Sequence, residues 1–144
     1  MHLSYLLLET PLGQMVACEA FGKLCALEFV ENDVMNIVLP ISKLLKLSPQ
    51  KQSSDVLMQT QQELMEYFAN QRKIFTVELL MIGTPFQKNV WEILLTIPYG
   101  RTLTYKEESI QYGNEKAIRA VSSANGKNKI AIIEEISEDI TRLR

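Results

Sequence analysis

The stretch from Thr84 to Ile133 constrains the fold most, because its helices and their breaks can be read residue by residue. Pro85 suits the first turn of a helix, where its missing N–H costs nothing, and Thr84 before it can cap. Phe86, Val90, Trp91, Leu94 and Leu95 then recur at helical spacing and make one apolar stripe. Ile97-Pro98-Tyr99-Gly100 ends that helix, since a proline disfavours helical geometry in the residue before it. A second helix is expected from about Tyr105 to Ile110, broken at Gly113-Asn114 by two residues tolerant of positive φ. A third starts near Glu115 and carries Ala117, Ile118, Ala120 and Val121 inward, leaving Lys116 and Arg119 to solvent. Ser122, Ser123 and Ala124 keep its end slim, and Asn125-Gly126 stops it. Two short helices joined by a Gly-containing turn, the second basic on its outer side, fit a helix-turn-helix.

Charge supports a duplex-binding reading of that stretch. Residues 1–83 carry six Lys/Arg against nine Asp/Glu, residues 84–133 seven against four, and the remainder two against four. A basic middle between acidic flanks suits a phosphate backbone, whose neutralisation supplies most non-specific affinity. A plain solvated helix face would look the same on charge alone. With 144 residues, 47% hydrophobic and 22% charged, the chain has the composition of one or two soluble domains. No apolar run reaches the roughly 18 residues of a membrane span, and no signal pattern opens the chain. A cytoplasmic, monomeric protein without membrane contact is the expectation.

In the first part, Ser4 to Thr10 alternates poorly but is rich in Leu and Tyr, and Pro11-Leu12-Gly13 reads as a turn. Met15 to Glu19 and Leu24 to Phe29 read as strands around Phe21-Gly22. A tight turn there pairs Cys18 with Cys25 across the hairpin, and a bulge at Gly22 would slip that register by one. Asn32 to Lys46 is a weak helix interrupted by Pro40. Ser53-Ser54-Asp55 caps a stronger helix marked by Val56, Leu57, Leu64, Tyr67 and Phe68. Phe75, Val77, Leu79 and Met81 alternate with Thr76, Glu78 and Leu80 and predict a strand or extended linker. Cys18 and Cys25 are the chain's two cysteines. Both sit among small apolar residues with no cationic neighbour to make a thiolate, so they read as reduced core residues. His2 is the single histidine, and no Cys/His spacing suits zinc. No metal or other cofactor is expected.

These residues closely resemble a family. Thr84-Pro85-Phe86-Gln87, Val90-Trp91, Ile97-Pro98-Tyr99-Gly100, Thr104-Tyr105, Gly113-Asn114, Ala117-Ile118-Arg119-Ala120-Val121, Ala124-Asn125-Gly126 and Asn128 follow the order and spacing of O6-alkylguanine-DNA alkyltransferases. These are also called methylated-DNA–protein-cysteine methyltransferases. Tyr5, Thr10-Pro11-Leu12-Gly13, Glu66-Tyr67-Phe68-Ala69 and the approach from Phe75 to Gly83 are similar to the family's N-terminal domain. The resemblance implies an α/β chain of two parts. Residues 1–80 would form a ribonuclease-H-like small antiparallel sheet with helices. Residues 81–144 would form a C-terminally truncated winged-helix-like helix-turn-helix domain that binds double-stranded DNA.

In the family a base is flipped from the duplex and its alkyl group is taken by a cysteine. Carried over by resemblance, the DNA-binding residues are Tyr105, Lys116, Arg119, Ser122 and Asn125. Tyr105 would rotate the target phosphate, Arg119 would fill the vacated stack, and Asn128 would be the hinge. The family's Pro-Cys-His-Arg motif is absent: ungapped alignment puts Ile136 at the nucleophile, within Glu134-Glu135-Ile136-Ser137-Glu138. Lys129 also stands where a proline usually follows Asn128. Ile132, Ile133, Ile136 and Ile140 have the spacing of a short amphipathic helix. The resemblance therefore implies a DNA-repair methyltransferase lineage whose activity is silent here. The alternatives are a non-enzymatic DNA-binding, lesion-recognition or regulatory module, or a non-functional truncated or frame-shifted product.

Overall fold

The computed structural model describes residues 1–95, with side chains through residue 93, and beyond them Ile110, Gly113, Asn114, Arg119 and Ala120. The chain divides into two compact units, Met1–Leu80 and Met81–Arg144. In the first, β1 (His2–Thr10), β2 (Gly13–Ala20) and β3 (Lys23–Phe29) form an antiparallel meander. β4 (Ser48–Lys51) adds to the free side of β1, giving the order β3-β2-β1-β4. β4 runs parallel to β1, so the sheet is mixed, where an antiparallel one is expected from the sequence. A parallel neighbour needs a crossover, and the chain between β1's hairpin partners and β4 supplies it through α1 (Met35–Leu45).

Each turn is fixed by identifiable residues. At Pro11-Leu12 the Thr10 hydroxyl accepts from the Leu12 amide at 3.2 Å and donates to the Gly13 carbonyl at 2.6 Å. At the second turn Phe21 and Gly22 both have positive φ, 54° and 75°, as a type I′ hairpin turn requires. The Glu19 carboxylate accepts from the Gly22 amide at 3.1 Å. The turn pairs Ala20 with Lys23 and Glu19 with Leu24, but a bulge then slips the register and Cys18 lies opposite Ala26. The expected Cys18–Cys25 pair is thus displaced by one residue, with the irregularity beyond the turn rather than at Gly22. Cys25 is the extra residue, and its thiol donates to the Cys18 carbonyl at 3.4 Å. Both cysteines are buried thiols outside any disulfide.

Helix α1 runs through Pro40, where an interruption is expected from the sequence. Proline removes the bond to the carbonyl four residues back. Here that carbonyl belongs to Asn36, and Asn36 and Pro40 are both exposed, so water can take the place of the lost donor. Lys46 caps the helix in the left-handed conformation. Helix α2 (Asp55–Phe68) begins at Ser54, whose hydroxyl accepts from the Leu57 amide at 3.2 Å. It packs across β1, β2 and β3, and α1 packs against β4. Leu3, Leu24, Leu27, Ile41 and Leu57 are fully buried in this unit, each contributing about 1.5–3 kcal/mol over exposure.

After α2 the chain turns at Ala69-Asn70 and runs to α3 with no further helix or full strand. Leu24 donates to the Glu78 carbonyl and accepts from the Leu80 amide, both at 2.8 Å, which adds a short parallel bridge to the β3 side. The expected strand or linker here is the linker form with one bridge. One carboxylate ties this segment down. Glu63 is buried on α2 and accepts from the Thr76 hydroxyl at 2.6 Å, the Thr76 amide at 2.8 Å, the Gln59 amide group at 2.9 Å and the Val77 amide at 3.3 Å. Burial pushes its pKa up, but the bonds from Thr76, Gln59 and Val77 together outweigh that and hold it below the ordinary carboxylate value.

In the second unit α3 (Pro85–Leu95) opens on a reciprocal cap. The Thr84 hydroxyl accepts from the Gln87 amide at 3.1 Å, and the Gln87 side chain accepts from the Thr84 amide at 3.0 Å. Val90 and Trp91 are buried and Phe86 is half-buried. A Cβ on Gly83 would lie 2.7 Å from both Trp91 Cη2 and Gln87 Oε1. The backbone at Gly83 is therefore packed against the Trp91 ring as only glycine allows.

Candidate nucleic-acid interface

Among the described residues beyond α3, the order is helix, turn, helix. Ile110 is helical and exposed, and its carbonyl accepts from the Gly113 amide at 3.0 Å. Gly113 has φ +105°, a conformation that ends a helix and that glycine reaches without a Cβ penalty. Asn114 follows, exposed and non-helical, and Arg119 and Ala120 are helical again. Arg119 is exposed, and no carboxylate among the described residues forms an ion pair with it.

Ala120 is exposed too, which corrects the expectation that it turns inward. It lies about 100° around the helix from Arg119, close enough to share the solvent side. Arg119 is the one sequence-predicted site residue that the described structure includes. Tyr105, Lys116, Ser122, Asn125, Asn128 and Ile136 lie outside the described residues, as do the expected helix stop at Pro98, the start near Glu115 and the isoleucine tail.

Burial pushes the Cys18 thiol far above its ordinary value, with the neighbouring Cys25 and Glu28 adding to the effect. A thiolate is the nucleophilic form, so this sulfur is inert where it stands. No cluster of His, Cys, Asp and Glu among the described residues could hold a metal ion, and no helix among them is long and apolar enough to cross a membrane. A surface cavity of about 330 Å³ lies between the end of β3 and the start of α1, lined by Glu28, Glu31 and Asp33 among others. Its acidic wall is unsuited to phosphate.

Two residues with structural work escaped the sequence reading, and each had a signal. Glu63 sits at helical spacing with Leu57, Thr60 and Leu64 on the buried side of α2, where a charged residue implies partners. Gln87 completes the Thr-x-x-Gln pattern of a capping box.

Comparison with known proteins agrees with the architecture. Residues 3–81 match the 6-O-methylguanine DNA methyltransferase ribonuclease-like domain, and residues 85–134 match the DNA binding domain of the same name. The constitutive methylated-DNA–protein-cysteine methyltransferase of Bacillus subtilis is 34% identical over 128 residues, covering 89% of this chain and 74% of that protein. That of Mycobacterium tuberculosis is 54% identical over 71 residues, 49% of this chain and 43% of that protein. The crystal structure of the Mycobacterium tuberculosis O6-methylguanine methyltransferase superposes with a TM-score of 0.76 at 33% identity, over 93% of this chain and 76% of that one. The same organism's protein in complex with DNA gives 0.76 at 34% identity over the same shares. With both domain types matched in order and a relative one-third identical over most of its length, this chain belongs to the methylated-DNA–protein-cysteine methyltransferase family.

Proposed function

We propose that this chain is a DNA-binding member of its family that engages duplex DNA, including alkylated DNA, without accepting the alkyl group. Residues 1–80 serve as scaffold and residues 81–144 as the DNA-binding part. Tyr105 presses on the target phosphate, Arg119 fills the stack, Lys116, Ser122 and Asn125 contact the duplex, and Asn128 is the hinge. One observation carries this reading. The match to the DNA-binding domain continues to residue 134, while the chain's only thiols, Cys18 and Cys25, are buried in the N-terminal sheet.

The support for DNA as partner is the domain match, the DNA complex of the structural relative and the exposed Arg119 after the Gly113 turn. The support for silence in transfer is chemical. The displacement needs a thiolate, and burial holds the Cys18 thiol far above its ordinary value, while no histidine lies near either cysteine in sequence.

The test is incubation with an O6-methylguanine oligonucleotide followed by intact-mass measurement and anisotropy. The expected outcome is an unchanged protein mass together with salt-sensitive binding. A stoichiometric gain of one methyl group mapped to Cys18 or Cys25 overturns the reading.

A further inference from the structure

The N-terminal unit is acidic as a whole, yet its cations are not evenly spread. Of its six Lys/Arg, three are Lys43, Lys46 and Lys51, and no acidic residue occurs between Asp33 and Asp55. Lys43 lies in the last turn of α1 and Lys46 is its left-handed cap, so both stand at the same end of the helix. The chain then passes through Leu47 directly into β4, at whose far end Lys51 stands. β4 is an edge strand, bonded to β1 on one side only. All three lysines are exposed, and none forms an ion pair among the described residues. The residues between them, Leu44, Leu45, Leu47, Ser48, Pro49 and Gln50, carry no charge.

We propose that this edge is a second phosphate-binding surface and that its partner is the backbone of duplex DNA. The inference rests on the DNA-binding reading above and extends it to the N-terminal unit. Three steps of about 3.3 Å separate the two ends of β4, so Lys51 stands roughly 10 Å along the strand from the end that follows Lys46. A duplex presents one negative charge per roughly 1.7 Å of axis, so several phosphates fall within reach of such a span. Flexible lysines in a row, without an arginine fork or aromatic platform, suit a repeated and diffuse negative charge.

The plainer role for Lys43 and Lys46 is to complement the carbonyl end of α1. That role does not extend to Lys51, which lies on the strand. Nor does it account for the absence of acids across the whole segment, since solubility is served by mixed charge.

The experiment measures binding of the full chain to an unmodified duplex by anisotropy between roughly 50 and 200 mM salt, the range over which phosphate contacts are read. Replacing all three lysines (Lys43→Gln, Lys46→Gln, Lys51→Gln) should lower the slope of log affinity against log salt by about 2–3, at about 0.9 per contact. The affinity lost across that salt range then shrinks about 16- to 64-fold. Each single substitution should lower the slope by about 0.9 or less. These singles decide the matter if the triple variant does not give the parent's circular dichroism. Lys23→Gln, exposed on β3 and away from this edge, should leave the slope unchanged. A parent slope retained in the lysine variants overturns this proposal alone. A parent chain that shows no salt-dependent binding overturns both it and the DNA-binding reading.

Discussion

Phe21 holds a backbone conformation that L-residues with a large side chain avoid. Its φ of +54° crowds Cβ against the following carbonyl, at a cost of roughly 1–2 kcal/mol. The ring does not recover that cost by burial, since it is 54% exposed. The turn accepts the strain because Gly22, also at positive φ, and the Glu19 carboxylate fix the hairpin around it. Asparagine visits this region more readily and is the preferred first residue of a type I′ turn. Phe21→Asn should therefore stabilise the chain by about 0.5–1 kcal/mol. That raises the melting temperature by a few degrees, about 4–8 °C per kcal/mol for a unit of this size. Thermal denaturation followed by circular dichroism measures it, and a lowered melting temperature would show that the exposed ring makes contacts worth more than the strain. The turn itself was legible from Gly22, but the conformation of Phe21 was not, because nothing in its chemistry favours positive φ.

At the scale of elements, Glu63 joins α2 to the extended segment at Thr76 and Val77. Only one of its four donors, Gln59, belongs to its own helix. Glu63→Gln keeps the shape but removes the charge and turns one acceptor into a donor that faces other donors. A cost of about 1.5–3 kcal/mol is expected, the range for hydrogen bonds to a charged group. The pH dependence follows from the direction of the shift. Glu63 in the fold sits below its ordinary value of 4.5, so the unfolded chain takes up its proton first. Its contribution is complete above about pH 4.5 and is lost as pH falls through the lower folded value. Urea denaturation at pH 7 and near pH 4 should find the gap between parent and Glu63→Gln narrowing in acid; a gap that widens would contradict this direction. The same scale shows where sequence legibility ended. The hairpin strands, the Ser54 cap and the Thr84-Pro85 helix start were readable because each rests on a local rule. β4 was not, since Ser48-Pro49-Gln50-Lys51 has neither alternation nor β-branched residues and is held by pairing with β1. The bulge was hidden for a related reason. Leu24, Cys25, Ala26 and Leu27 are all buried, so the apolar pattern is satisfied in either register.

Over the whole molecule, charge and site reading part company. The basic surplus of residues 84–133 follows from sequence counting, and non-specific attraction to a duplex scales with such charge wherever it stands. Selectivity for a damaged base needs one side chain in one place, and Arg119 is the candidate, exposed on a helix after the Gly113 turn. That much was legible because helix breaks at Gly113-Asn114 and a solvent-facing arginine follow from local rules. The inward placement of Ala120 was misread because alanine is small enough to sit on either side. Non-specific affinity is expected at roughly 10⁻⁴–10⁻⁶ M near physiological salt. Arg119→Ala should leave that nearly intact, changing the salt slope by about one contact or less. It should abolish any preference for O6-methylguanine or mismatched duplex over matched duplex, because filling the vacated stack is what offsets unstacking, a term of a few kcal/mol. Competition anisotropy with matched, mismatched and methylated duplexes separates the two effects. Nanomolar, salt-insensitive binding that survives Arg119→Ala would mean that neither the basic surface nor this arginine governs the encounter.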